Sequence, residues 1–241
     1  CQYSPDGRYA LSGAEDGKLR LWNISDGKQL YALEGHRYAI TGCAFSPDQQ
    51  FALSGSYDST LRLWSIKNGT CIYTFREDSW ITDCVFSPDG QFILSALNDG
   101  TLHLWNVPSR QLVRTLRGHR GTIRNCAFSP NGRHCISVSI DQTLRLWDIT
   151  TGEMLTLWSG DATPVSCAYH PKEPLVLIGD RFGAVHLLRI DDLEPPMQEH
   201  PGLRILVRIT KDSDKRWLSP KVPTYMRPSS KYKKQSETGP G

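Results

Sequence analysis

Ser54, Asp58 and His36 carry the functional groups of a hydrolytic relay, namely a nucleophile, an orienting acid and a general base, and they sit close together in the chain. The same three types return, equally close, as Ser137, Asp141 and His119. A catalytic triad is singular, and its members converge on one pocket with an oxyanion hole. A constellation that recurs along the chain is architecture, so no catalytic residue is assigned.

Cysteine is the next source of chemistry. Of the seven, Cys1, Cys43, Cys84, Cys126 and Cys167 share one position, two residues before Phe or Tyr. A position that repeats in this way points at the same core layer each time, and these residues are expected to behave as small hydrophobes rather than to pair. Free thiols in this number fit a reducing, intracellular compartment. No C-x₂-C spacing offers a zinc site, and His134-Cys135 stands alone, so neither a metal nor a cofactor is expected. Arg20, Arg62, His103, Arg145 and His186 form another stripe. An anion-binding ring is one reading; the alternative packs each stem between sheets with its head at a rim. Nothing resembles a glycine-rich phosphate loop.

The elements that must position these residues are repeats. Leu19-Arg20-Leu21-Trp22 returns at Leu61–Trp64, Leu102–Trp105 and Leu144–Trp147, with tryptophans 42, 41 and 42 residues apart. A weakened copy ends at Leu188. A Ser-Pro-Asp-Gly-like turn keeps the same step at Ser4, Ser46, Ser87 and Ser129, and degenerates at His170. In the second unit, strands are expected over Ile40–Phe45, Phe51–Gly55, Thr60–Trp64 and Thr70–Phe75, with turns of Pro, Asp, Asn and Gly between them. Apolar residues on both faces of such a sheet, Leu61 and Leu63 against Trp64, demand a neighbour on each side. Stacking around an axis supplies them, so the expected class is an all-β propeller.

The Gly-His pairs, the Ser-Pro-Asp-Gly turns, the aspartate turns and the strands ending in Trp resemble the WD40-repeat family over residues 1–190, although only Trp147-Asp148 keeps the dipeptide of that name. The resemblance implies a partial blade at 1–34, blades at 35–76, 77–117 and 118–159, and a degenerate blade at 160–190, within an array of the seven-bladed type. It also implies a buried network in which His bonds Asp and Ser, and Ser accepts the Trp indole: His36, Ser54, Asp58 and Trp64, then His119, Ser137, Asp141 and Trp147. The first unit has Ser12, Asp16 and Trp22, with its histidine register upstream of Cys1. The third has Ser95, Asp99 and Trp105 with Glu77 in place of His, a carboxylate expected to accept from the Asp99 turn amides. In the fifth, Gly160 and Phe182 fall at the His and Asp registers, so the third and fifth blades are expected to be softer. The family's partner contacts map onto Arg37, Tyr38, Asp78 to Trp80 and Arg120 in the loops, and onto Glu15, Tyr57, Asn98 and Ile140 before the aspartates. Trp80 is either an exposed anchor or a filler for the missing third histidine. A looser similarity, carried by His170–Pro174, Gly179-Asp180 and His186–Leu188, is to the WD40 arrays of NACHT or NB-ARC signalling ATPases.

Charge is unevenly spread: residues 1–190 hold 18 basic and 18 acidic side chains, and the net +3 comes from the remainder. Residues 191–218 read as a connector with a possible closing strand at 203–209, and 219–241 as a disordered basic tail. No run is long enough to cross a membrane, and the missing initiator Met suggests a fragment. The expected function is an intracellular, non-enzymatic scaffold that docks proteins. Alternatives are a sensor propeller regulating a NACHT-like ATPase, or nucleic-acid association through the basic tail.

Overall fold

A computed structural model of the chain describes residues 1–190 and the backbone of Leu203–Ile209. The basic tail at 219–241 lies outside the described residues, as does most of the 191–218 connector. The described chain forms five four-stranded antiparallel sheets, each pairing its strands in chain order. Their first strands are Gln2–Tyr3, Ile40–Phe45, Ile81–Phe86, Ile123–Phe128 and Pro164–Tyr169. In the second sheet the remaining strands are Phe51–Ser56, Thr60–Ser65 and Cys71–Arg76, within a residue of the expected limits. Leu203–Ile209 pairs with Val185–Ile190 as the fourth strand of the last sheet.

First strands pack against first strands in sequence, which makes them the inner lining of the stack. Fourth strands face outward, with Leu30, Ile72, Leu112 and Met154 exposed. Between sheets the two apolar faces interlock. Leu11, Leu19 and Leu21 of the first sheet bury Phe45 and Trp64 of the second. The same positions, Leu53, Leu61 and Leu63, cover Ile81, Cys84 and Ile93 of the third. Leu94 and Leu104 then meet Cys126 and Trp147, and Ile136 and Leu146 meet Val176 and Leu188. Each sheet lends its leucines forward and its tryptophan backward, which is why the sequence repeats both.

Every inner strand from the second sheet onward carries a bulge near its start, at Thr41, Thr82, Arg124 and Val165. Side chains beside the bulges fasten one sheet to the next. Thr41 donates to the carbonyl of Ile81 and Thr82 to that of Ile123. The Gln2 side-chain oxygen accepts from the Phe45 amide, Asp83 from the Cys126 amide and from Asn125, and Asn125 from the Cys167 amide. All seven cysteines are free. Among the described residues no helix is long and apolar enough to cross a membrane.

Candidate functional site

In the second sheet the Trp64 indole donates to Ser54 Oγ at 2.9 Å, and Ser54 Oγ lies 2.7 Å from His36 Nε2. His36 Nδ1 lies 2.9 Å from Asp58. Burial is the main influence on His36 and lowers its pKa in spite of the pull of Asp58. A neutral imidazole gives the chain one direction: Trp N–H to Ser, Ser O–H to Nε2, and Nδ1–H to the carboxylate. The fourth sheet repeats it through Trp147, Ser137, His119 and Asp141 at the same distances. Burial would raise the Asp141 carboxyl, but bonds from Thr143, the Arg120 amide and His119 outweigh it and hold the group at about 2. Thr60 and Thr143, which the sequence reading did not single out, donate to Asp58 and Asp141 at 2.6 Å. Their signal was a Thr two residues after the network Asp in the second, third and fourth units.

The relay geometry is that of a triad, yet Ser54 and Ser137 are 0% exposed and their hydroxyls are already engaged on both sides. No substrate reaches them, and the bonds satisfy a buried indole. The aspartates also clamp the rim: Arg37 and Arg120 donate their backbone N–H groups to Asp58 and Asp141. The residues after them, Ser59 and Gln142, have φ of 60° and 68°, a left-handed conformation unusual for non-glycine residues. Gly17 and Gly100 fill that position in the first and third sheets.

The third sheet departs from this pattern. Glu77 accepts from Ser95 at 2.6 Å, from the Trp105 indole at 2.8 Å and from His103 at 2.5 Å. The expected bonds from the Asp99 turn to Glu77 are not the ones formed; Asp99 instead accepts from Thr101. The substitution is concerted. At Gly35 and Gly118 a Cβ would collide with the guanidinium of Arg62 or Arg145. Where His103 replaces that arginine, the glycine register holds Arg76 and the histidine register Glu77. Trp80 does not fill the histidine's place, because Glu77 does; Trp80 is 56% exposed, its ring centroid 5.7 Å from that of Tyr57.

In the first sheet Trp22 bonds Ser12 at 2.8 Å, and Asp16 pairs with Arg20 at 2.6 Å. In the fifth, Phe182 is exposed at the Asp register, and Asp180 serves instead, bonding His186 at 3.1 Å. The basic stripe packs its stems between sheets: Arg62 lies over Trp64, and the Nε atoms of Arg62 and Arg145 are buried without a partner. Half-buried Asp83, also unnoticed in the sequence, is pushed up by desolvation to about 6 despite its amide donors. Among the described residues no group of His, Cys, Asp and Glu could hold a metal ion.

The rim that carries the aspartate turns gathers the exposed candidates. Arg37, Glu15, Asn98 and Arg120 are exposed beside Tyr38, Tyr57 and Ile140. Backbone bonds tie the turns to the loops: Tyr57 to Ala39, Asn98 to Trp80 and Ile140 to Thr122. Thr122 also donates to Asn98 across the seam between sheets. The surface from Tyr57 through Trp80 to Ile140 is therefore one continuous, rigidly held strip.

A family model described as the first beta-propeller of IFT122 matches residues 1–198. The human WD repeat-containing protein 86 is 48% identical over 40 residues, which is 17% of this chain and 11% of that protein's length.

Proposed function

The chain belongs to the IFT122 first beta-propeller family, its sheets are WD40 blades, and from that premise we propose that it is a non-enzymatic platform for docking protein partners on one rim. WD40 propeller families are generally non-enzymatic scaffolds. The observation that carries the reading is Trp80, an exposed aromatic tilted against the Tyr57 ring, its carbonyl held by the Asn98 amide, on a rim that also exposes Arg37. Rigid aromatic and arginine side chains dominate the energetics of interfaces because they bury much area at little entropic cost. The repeated polar groups that resemble catalytic machinery are consumed in supporting this rim.

The test is quantitative affinity enrichment with the full chain as bait, comparing the wild type, the Tyr57→Ala/Trp80→Ala double variant and Lys67→Ala in a turn at the opposite edge. Partners should be lost from the double variant, by about tenfold or more, and kept by Lys67→Ala. Partners that survive the double variant would refute the assignment of this rim.

A further inference from the structure

The rim's chemistry identifies the kind of partner, an inference that rests on the docking reading above. From Gly100 to Ile140 the chain has six arginines and neither Asp nor Glu, although residues 1–190 as a whole are balanced. Arg110 is engaged over the Tyr73 ring and Arg114 with the carbonyls of Thr150 and Thr151. Arg133 is exposed in the turn before His134, and Arg117, Arg120 and Arg124 are exposed together in the loop and the first residues of the fourth blade's inner strand.

Arg124 is the informative one. It occupies the bulge where Thr41 and Thr82 fasten their blades to the next. Bulges re-aim a side chain, and here the repeat gives up a structural hydroxyl for an exposed cation. Ile140 borders the cluster, packed so closely on the loop that a Cβ at Gly121 would stand 2.6 Å from its Cγ1. Beyond the Thr122–Asn98 bond lie Trp80 and Tyr57. Exposed Asp78 and Asp99 on the third blade confine the positive potential to the fourth.

We propose that this sector binds an extended acidic peptide, with a bulky apolar side chain on Trp80 and Tyr57 and carboxylates against Arg117, Arg120 and Arg124. Guanidinium forks match carboxylates, and the aromatic pair supplies the apolar anchor. A nucleic-acid strand fits less well, because one short cluster in an otherwise neutral array offers few phosphate contacts.

The experiment is selection of a display library of short random peptides against the full chain, followed by fluorescence polarisation with the enriched peptide, a counterpart with every Asp and Glu changed to Lys, and single-stranded oligothymidine. Enriched peptides should carry Asp or Glu around one aromatic or branched apolar residue, and the lysine counterpart should not bind. Arg120→Glu and Arg124→Glu should each weaken binding by about fivefold or more, and Trp80→Ala by about tenfold. Neutral or basic binders that still require Trp80 would overturn the acidic partner while leaving the docking rim intact. No enrichment, or binders indifferent to Trp80→Ala, would overturn both. Oligothymidine binding as tight as the peptide's would make this a nucleic-acid site instead.

Discussion

The second and fourth blades and the third face one problem, a tryptophan N–H placed between sheets, and meet it with different chemistry. In the pair, the hub is a neutral serine, and an imidazole passes the bond on to Asp58 or Asp141 at the rim. In the third blade, the hub is the Glu77 carboxylate, which takes the indole, the serine and His103 directly. The first arrangement reaches outward and clamps the loop amides of Arg37 and Arg120; the second closes inward. Among the described residues no loop amide of the third blade reaches Asp99. The blade without the clamp is the one whose loop presents Trp80, so the interior bonding pattern of a blade decides what its rim offers.

Removing the hubs gives the largest contrast. Glu77→Ala takes the acceptor from the Trp105 indole and from His103, leaves Ser95 only its longer bond to the His103 carbonyl, and should cost about 4 kcal/mol in chemical denaturation. Ser54→Ala or Ser137→Ala should cost about 2–3 kcal/mol, whereas Ser95→Ala should cost only about 1, since Trp105 already bonds Glu77. Equal costs for the three serines would erase the distinction. A smaller effect follows from pH. His36 and His119 are held neutral by burial, with pKa values below the usual 6.5, so the unfolded chain takes up their protons first as pH falls. Their contribution is intact above the unfolded value and is lost as pH drops through it toward the folded one. The protection of the Trp64 and Trp147 indole N–H groups, measured against the unstructured exchange rate at each pH, should therefore fall between pH 7 and pH 5, and constant protection would break the neutral-imidazole assignment. The smallest effect concerns the left-handed turn. Ser59→Gly or Gln142→Gly should gain about 0.5–1 kcal/mol by relieving the backbone; a loss on melting would show that the side chain, rather than the clamp, holds the turn.

Much of this was legible in the sequence because the repeat is written twice, once in turns and once in tryptophans. Strands between such markers have little freedom, and those of the second blade end within a residue of where the pattern puts them. The site was less legible. That Glu77 would turn inward depends on His103 standing where Arg62 has its counterpart and on Arg76 in the glycine register, a three-position exchange that no single position displays. Asp83, Asn125 and Arg124 were passed over because they stand just before the cysteine that marks the repeat. Their roles arise only where two inner strands meet, a contact between residues about 42 apart that a one-unit reading does not contain.

The inner-strand fastenings have a polarity. Gln2, Thr41, Thr82, Asp83 and Asn125 each contribute a side chain, and the backbone group they hold belongs to the blade that follows. A nascent chain leaves the ribosome N-terminus first. Each of these fastening side chains is thus synthesised before the strand it grips, a polarity that suits blade-by-blade fastening in the direction of translation.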